Sequence, residues 1–512
     1  MRQSTTLVVN TLALVANTLF ATAAALVVTR LLLETLGGID FGLFTVVGAT
    51  AGFSMILANA LADSAGRHLA HAVGRDDANS FRTTFNAALV LYSALAALLV
   101  ALGLAIGPVI AQLLDVPDDR VAAVRWVFAL TCASLATATI VTPYTAAAEA
   151  HLVHYLKVWA TLAQVTLRLL FALVLFMVPG DRLVMWAALA AIAQAANGAT
   201  IAILVLRRIP DTRQLPRAPA RADIAPLFGF GAWQLLGSLS WRLRMQGVQI
   251  ALNTLFGPLI NASYAVGVQL AGLQSSLSTS IGRVTNPAII AKHGGEKHDQ
   301  MYRLIVLTTK YTTVFAAMLA VPIIVEAPAI LGLWLGAERT AELPVLVPLV
   351  QLISLVILAM SISQGYVFAI NATGQIGVFT LATIGIDLGA LVLPIVVILA
   401  SDLGPTTMPI AGILGAAAHA AFRSIYVGRK VGLPPILWLR ASVIPASTAT
   451  AAAALAALGI AAMLEPTLWR LPLTAAGSTA ALLSTFWFLG MRTDERARFA
   501  ELAAAPIRRP HR

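Results

Sequence analysis

The chain has 512 residues, of which 59% are hydrophobic and only 11% are charged. An ordinary soluble domain carries roughly 25% charged residues, so this composition excludes a water-soluble globular protein and indicates a chain surrounded mainly by lipid. The net charge of +11 does not indicate nucleic-acid binding, because the basic residues lie in short breaks between apolar runs.

The apolar runs predict an all-α, polytopic membrane protein with about fourteen transmembrane helices. A helix needs about 20 predominantly apolar residues to cross the hydrocarbon core, and each predicted span is close to that length. The first run is too long for a signal-peptide core, so it is interpreted as a membrane helix. The predicted spans in chain order are 7–33, 41–62, 84–107, 121–143, 156–178, 183–206, 229–254, 263–282, 304–325, 346–370, 378–400, 409–427, 441–463 and 471–491.

The distribution of basic residues predicts the orientation of these spans. Segments on one side of the membrane hold 23 Lys and Arg residues, and segments on the other side hold 6. Cytoplasmic loops carry the excess of Lys and Arg, so both termini are expected in the cytoplasm. The predicted location is the cytoplasmic (inner) membrane of a bacterium.

An internal repeat predicts two halves. The segment AHAVGRDDANSFR (70–82) resembles AKHGGEKHDQMYR (291–303) at an offset of 221 residues, and two further pairs occur at offsets of 220 and 222. Two halves that each contain an even number of helices have the same topology in the membrane. They are therefore expected to be related by an axis along the membrane normal and to enclose a central cavity. The predicted division is 1–206 as an N-terminal six-helix lobe, 207–228 as a cytoplasmic linker, 229–428 as a C-terminal six-helix lobe, 429–491 as two additional helices and 492–512 as a basic cytoplasmic tail.

Motifs for covalent chemistry are absent from the sequence. It contains no GxxxxGK[ST], HExxH or GxSxG motif, and its single cysteine, Cys132, excludes an intrachain disulfide. We therefore expect no catalytic residue, no metal and no cofactor. A membrane glycosyltransferase or ligase would need a large outer loop, and the longest predicted outer loop spans only about 326–345. The chain is predicted not to be an enzyme.

Polar residues in the predicted spans indicate where a substrate would bind, because such groups are costly in hydrocarbon. Five polar residues lie on a single face of the predicted helix 229–254, because they are spaced by four, four, three and four residues. They are Ser238, Arg242, Gln246, Gln249 and Asn253. Arg242 is expected to face a wet cavity, with a structural ion pair as the alternative. Arg244 lies about 200° around the helix, where a structural role is favoured.

Further candidates lie in other spans. Gln269, Asn17 and Asn59 belong to polar stripes that either line the cavity or pack helices together. Arg168 and Asp387 lie 219 residues apart, at nearly equivalent places in the repeat. Asp387 could bind a driving proton or cation, or it could form a structural pair with an arginine. Arg168, like Arg244, is a candidate for either a coupling charge or a structural charge.

The sequence resembles a known family in three segments. They are TRLLLETLGGIDFGLFTVV (29–47), LNTLFGPLINASYAVGVQLAGLQSS (252–276) and NPAIIAKHGGEKHDQMYRL (286–304). They are similar to polysaccharide transporters, the Wzx-like lipid-linked oligosaccharide flippases of the multidrug/oligosaccharidyl-lipid/polysaccharide (MOP) exporter superfamily. The resemblance covers roughly residues 7–440 and is most specific in FGPLINASYAVGVQL.

This resemblance implies a fold of two six-helix bundles around a V-shaped cavity. It also implies alternating access and a sugar chain on a polyprenyl diphosphate as substrate, for use in cell-surface polysaccharide such as O-antigen of lipopolysaccharide. The implied partners are this glycan lipid and the bilayer, with a polysaccharide polymerase and glycosyltransferases as candidates. A murein lipid-precursor flippase and a multidrug or small-molecule antiporter are alternatives on the same fold.

The predicted topology can be tested with reporter fusions along the chain. Fusions after residues 75, 215 and 295 should report a cytoplasmic location, and fusions after residues 115 and 335 should report a periplasmic one. The physical reason is the excess of Lys and Arg in the first group of segments. Paired alkaline phosphatase and green fluorescent protein fusions measure both outcomes. A periplasmic signal at residue 215 would contradict the division into two halves.

Overall fold

The structure is a computed structural model, and it contains helices and no β-strand in the part that it describes. For residues 2–19, 231–235, 237–238 and most of 276–294, only the backbone is described. The described residues are 2–52, 65–66, 68–151, 153, 155–213, 217–220, 231–294, 298–373, 376–493 and 495–497.

Long helices account for nearly all of this structure, because the apolar runs leave helical hydrogen bonding as the way to satisfy the backbone in lipid. The first seven are α1 (Arg2–Gly52), α2 (Ala78–Leu113), α3 (Val121–Ala150), α4 (Tyr155–Val174), α5 (Arg182–Arg208), α6 (Gly231–Phe256) and α7 (Pro258–Gly294). The remaining nine are α8 (His298–Val325), α9 (Ala327–Leu335), α10 (Ala337–Glu342), α11 (Leu346–Ser361), α12 (Gln364–Thr373), α13 (Gly377–Ala400), α14 (Thr407–Val431), α15 (Pro435–Met463) and α16 (Arg470–Gly490).

The predicted all-α membrane fold is confirmed. Within the described residues, ten helices are long and apolar enough to cross a membrane, and the bent pair α11–α12 would make eleven. Every predicted span overlaps a helix of the structure, although the span 41–62 is described only as far as Gly52. The number fourteen itself stays a prediction.

Three predicted spans differ in shape from the separate straight helices that hydropathy suggests. The spans 7–33 and 41–62 are parts of one helical path, α1, which is interrupted only at Gly37 with φ 76° and ψ 174°. Glycine adopts a positive φ without a steric penalty, so it permits this break. The span 346–370 is divided into α11 and α12, whose axes differ by 42°.

The described chain forms two compact units. Unit 1 comprises Met1–Val266 with Glu338–Pro344, and unit 2 comprises Gly267–Ala337 with Val345–Arg512. The structural boundary lies within α7, later than the predicted linker at 207–228, because α6 packs against α1. The predicted division into lobes with a separate linker stays a prediction.

Close contact between α1 and the start of α7 organises unit 1. A Cβ atom on Gly42 would collide with the backbone carbonyl of Pro258, so glycine permits this approach. Asn261 then donates hydrogen bonds from Nδ2 to the carbonyl of Gly42 and to Oγ1 of Thr45, both at 2.9 Å. These bonds supply partners for buried polar groups that would otherwise be unsatisfied.

Arg120 joins three segments of unit 1 beyond the membrane-spanning part of α2. Its Nη2 lies 2.9 Å from Oδ2 of Asp40 in α1, and its Nη1 lies 3.3 Å from Oδ2 of Asp181. Asp181 also caps α5 by accepting hydrogen bonds from the backbone amides of Leu183 and Val184. The carboxylate therefore satisfies free amides at the helix start and neutralises the arginine at the same time.

A buried ion pair holds the segment after α16 within unit 2. Lys310 in α8 is fully buried, and its Nζ lies 3.1 Å from Oε2 and 3.2 Å from Oε1 of Glu495. The same ammonium group donates to the carbonyl of Gly490 at 2.9 Å. Because Lys310 has three donors, these contacts satisfy it completely within the protein.

Removal of either partner of this pair should destabilise the protein more than removal of both. Lys310→Met or Glu495→Leu leaves a buried charge uncompensated, which typically costs about 3–5 kcal/mol. The double variant leaves no unpaired charge, so its melting temperature should lie above those of both single variants. Thermal unfolding of purified protein, followed by fluorescence-detected size exclusion, measures the order. A double variant less stable than either single one would contradict this account.

Candidate functional site

The predicted polar face of the span 229–254 lies on one continuous helix, α6, so the helical spacing assumed from the sequence holds. Arg242, Gln246 and Gln249 are half-buried on this helix, whereas Asn253 is fully buried. The side chain of Ser238 lies outside the described residues. The face therefore changes along its length from partly accessible to enclosed.

The two arginines of α6 have different surroundings. Arg244 is 2% exposed, and its guanidinium lies 5.6 Å from the centre of the Trp241 ring. Arg242 is half-buried, and within the described residues its side chain forms no ion pair or hydrogen bond. The two side chains therefore differ in burial, and the predicted cavity role of Arg242 stays a prediction.

Two contacts in the part of α6 that follows Arg242 join this helix to other segments of unit 1. The Nε2 atom of Gln246 lies 2.8 Å from the place that a Cβ on Gly52 would occupy, so the amide packs against α1. Four residues beyond Gln249 along the same face, Asn253 accepts a hydrogen bond from the backbone amide of Asp115 at 3.2 Å. Asn253 thus anchors the segment after α2, and no contact within the described residues supports its predicted place in an open cavity.

The other predicted cavity residues have less definite surroundings. Gln269 in α7 is half-buried, which leaves it accessible from one side. Asn17 belongs to the part of α1 in which only the backbone is described, and Asn59 lies outside the described residues. The place of these three side chains in a cavity stays a prediction.

Arg168 lies on α4 within unit 1. It is half-buried as a residue, but its Nε atom is enclosed and has no hydrogen-bond partner among the described residues. The ion pairs of the described residues do not include Arg168 either. A guanidinium without a carboxylate in a membrane-spanning helix requires water or an external anion nearby.

Asp387 has a histidine partner that the sequence reasoning did not identify. Nε2 of His419 in α14 lies 3.1 Å from Oδ1 of Asp387 in α13, and both side chains are almost fully buried. Arg423, one turn after His419, is close enough to interact electrostatically with Asp387 and donates from Nη1 to Oγ of Ser363 at 2.8 Å. Asp387 therefore lies beside a histidine as well as near an arginine, and the choice between an ion-binding role and a structural pair stays a prediction.

A signal for this group is present in the sequence. His419 and Arg423 are four residues apart within an apolar run, so they lie on one face of the helix. A π-helical turn at Arg423–Val427 follows, and such turns occur frequently at functional sites. The histidine could have been noticed by its position, but its pairing with Asp387 depends on how α13 and α14 pack.

An apolar groove of unit 2 lies between α13 and α14 and has a volume of about 520 Å³. Its walls are apolar apart from Thr407, and include the exposed side chains of Leu393 and Leu414. Such a surface suits hydrocarbon rather than a charged group. Among the residues that the structure describes, no group of three His, Cys, Asp or Glu side chains could hold a metal ion.

Comparison with known proteins identifies the fold. The structure is similar to that of a lipid II flippase, MurJ, in an inward closed conformation, with a TM-score of 0.69, 10% identity, and coverage of 94% of this chain and 99% of that chain. It is also similar to an inward-facing multidrug resistance MATE family transporter of the MOP superfamily, with a TM-score of 0.61, 14% identity, and coverage of 81% and 95%.

A third structure with this fold is the MATE multidrug transporter DinF-BH, at a TM-score of 0.56, 15% identity, and coverage of 81% and 93%. No curated protein sequence matches the chain. These likenesses show that the fold is that of MATE transporters and MurJ, as the resemblance in the sequence implies.

The family is shown by a match over more than half of the chain. The model described as "Polysaccharide biosynthesis protein" matches residues 7–293, which include all of α1 to α6 after the first residues and almost all of α7. The matched region contains the polar face of α6 and both of its arginines. This multi-pass membrane chain, with the fold of the MOP superfamily, belongs to the polysaccharide biosynthesis protein family.

Proposed function

We propose that this protein is a flippase that moves a polyprenyl-diphosphate-linked oligosaccharide from the cytoplasmic to the outer leaflet during cell-surface polysaccharide biosynthesis. Membership of the polysaccharide biosynthesis family supports a lipid-linked sugar as cargo. The likeness to a lipid II flippase and to multidrug transporters supports transport on this fold. We also propose a bacterial inner-membrane location with both termini in the cytoplasm, and the distribution of Lys and Arg supports that orientation.

The observation that carries this proposal is the half-buried guanidinium of Arg242, which has no ion-pair partner among the described residues. An arginine at the centre of a spanning helix costs about 2.5–3.5 kcal/mol on insertion scales unless water or a counter-charge surrounds it. A diphosphate supplies that counter-charge, and the guanidinium fork binds phosphate oxygens through two parallel hydrogen bonds. Arg242 is therefore proposed as the group that holds the diphosphate.

Amide side chains complete the proposed binding surface. Gln246 and Gln249 are half-buried on the same face of α6, and Ser238, Gln269, Asn17 and Asn59 are proposed as further polar contacts. Amides donate and accept hydrogen bonds, which suits sugar hydroxyls as well as phosphate. Arg244 is proposed to have a structural role, since it is enclosed against Trp241.

The alternatives differ in the charge that they require. A murein lipid precursor also carries a diphosphate, so Arg242 suits it equally, and the family match favours the polysaccharide precursor. A multidrug antiporter for organic cations would use acidic side chains at its site. Arg242 instead presents a cation, and Asp387 is engaged by His419.

Coupling is proposed to depend on the pair Asp387–His419. A carboxylate and an imidazole 3.1 Å apart can share one proton, and their burial makes the number of bound protons sensitive to a change in the packing of α13 against α14. A driving ion shifts a conformational equilibrium only if it binds one state more tightly. The pair is therefore proposed to bind a proton more tightly in one of the two access states. Arg168 lies outside this group.

Arg242→Ala should abolish surface glycan export while the amount of protein stays normal. Loss of hydrogen bonds to a charged group costs about 1.5–3 kcal/mol, which corresponds to roughly ten- to hundredfold weaker binding. Arg242→Lys should restore part of the export, because lysine retains the charge but not the planar fork. Complementation of a flippase-deficient strain, with glycan detected on the cell surface, measures both effects.

Arg208→Ala is the matched control, because Arg208 is exposed at the end of α5. This control should export glycan at the level of the unchanged protein. Full export by Arg242→Ala at native expression would eliminate Arg242 as the phosphate anchor. Export of murein precursor, with no effect on surface polysaccharide, would replace the proposed cargo by the alternative one.

Asp387→Asn and His419→Gln should each abolish gradient-dependent transport and leave the protein correctly folded. Both changes preserve size and remove the shared proton, so they separate coupling from packing. Transport of labelled glycan lipid in proteoliposomes with an imposed pH gradient measures the effect. Asp402→Asn is the control, since Asp402 is exposed after α13. A fall in folded protein, with transport per molecule unchanged, would assign the pair a structural role.

A further inference from the structure

A second polar group occupies the inner face of unit 1, between α4 and α5. Gln164 of α4 donates from Nε2 to Oε1 of Gln194 at 2.6 Å, and it accepts at Oε1 from Nδ2 of Asn197, also at 2.6 Å. Gln194 and Asn197 both belong to α5. We name these three side chains the amide cluster. All three are half-buried, so their remaining polar atoms are accessible.

The amide cluster faces away from the apolar outer surface of both helices. Nine residues correspond to about 180° on a helix. Leu173, nine residues after Gln164, is 52% exposed, and Ile203, nine residues after Gln194, is 48% exposed. Exposed leucine and isoleucine suit lipid, so the partly exposed amides lie on the faces opposite the surface that suits lipid, and we expect water to reach them.

Arg168 lies on the same side of α4 as this cluster. It follows Gln164 by four residues, which places the two side chains one turn apart on one face. Its Nε is enclosed and has no hydrogen-bond partner in the described part of the chain. The site therefore combines three amides in a hydrogen-bonded chain with one cation that has no counter-charge among the described residues.

The donors and acceptors of the amide cluster that have no partner within the cluster match the hydroxyl groups of a sugar. Gln164 retains one N–H, Gln194 retains its two N–H donors, and Asn197 retains its carbonyl oxygen. Hydroxyl groups donate and accept at once, so they can extend this chain in both directions. The guanidinium, in contrast, requires an anion and binds a carboxylate through two parallel bonds.

We propose that Arg168 and the amide cluster form a binding site for an acidic sugar of the transported glycan. The amides bind sugar hydroxyls, and Arg168 binds the carboxylate of a uronic acid. This inference rests on the proposed function, because it assumes that a glycan enters the protein. It assigns the sugar to α4 and α5, separately from the diphosphate at Arg242 in α6.

Water access to the cluster is tested first. In the full chain, Gln194→Cys should react with a membrane-impermeant methanethiosulfonate reagent, because the side chain faces water. Ala199→Cys should not react, since Ala199 is exposed one turn before Ile203 on the outer side of α5 that faces lipid. The natural Cys132 is buried and supplies the background rate. A Gln194→Cys rate equal to that background would show a dry cluster and overturn the site.

Sugar binding is tested with the full chain in lipid nanodiscs by saturation-transfer NMR. The probes are trigalacturonate, its neutral analogue trigalactose, and inorganic diphosphate. Trigalacturonate should bind more tightly than trigalactose, and Arg168→Gln should weaken trigalacturonate binding about tenfold, or about 1.4 kcal/mol. Asn197→Leu should weaken both sugars, whereas Ala199→Val on the lipid-facing side should change neither.

Two results would overturn the assignment. If the two sugars bind equally tightly and Arg168→Gln changes neither affinity, then Arg168 does not bind the carboxylate. Diphosphate binding that depends on Arg168, without binding of trigalacturonate, would identify a phosphate site instead. If Arg168→Gln fails to fold, the same binding measurement is made with Arg168→Lys. This variant should retain part of the preference for the acidic sugar. Neither readout involves Arg242, so failure here is separate from failure of the proposed flippase function.

Discussion

The cost of a polar group in hydrocarbon determines how this molecule is built. A charge at the bilayer centre costs several kcal/mol by many measures, so each charged side chain within the spanning helices needs a partner, water or a ligand. Lys310 is matched by Glu495, and Asp387 is matched by His419. These pairs let polar groups stay buried while α8, α13 and α14 keep their apolar surfaces toward lipid.

Arg168 and Arg242 depart from this pattern, since neither forms an ion pair within the described residues. Both belong to unit 1, and both share a helix face with glutamine side chains. A cation that folding leaves without a partner can serve function, because an anionic ligand then supplies the charge that the protein lacks. The proposed phosphate and sugar sites follow from this same electrostatic argument.

Ion pairs at the helix ends have a different task. Four arginines that the basic-residue distribution places outside the cytoplasm are paired with carboxylates: Arg30 with Glu34, Arg120 with Asp40, Arg339 with Glu342 and Arg470 with Glu326. Most of these pairs are partly accessible to solvent, so each contributes little to stability on its own. Their value is geometric, since Arg120 also contacts Asp181 and so joins α1 to the start of α5.

Length, apolar content and helical periodicity are local properties, so the sequence by itself determined the all-α membrane fold, the approximate helix ranges and the polar face of α6. It also determined that Arg242 and Arg244 point in different directions, because the rotation of 100° per residue depends only on their spacing.

The partners of the buried charges were decided by tertiary structure alone. Lys310 and Glu495 are 185 residues apart, and Gln164 lies 30 residues from Gln194. Such pairs form when helices pack at a particular angle and register, and periodicity along one helix contains no information about that packing. Asn253 shows the same limit, since its stripe predicted either a wet cavity or a neighbouring helix, and only the fold placed the backbone of Asp115 against it.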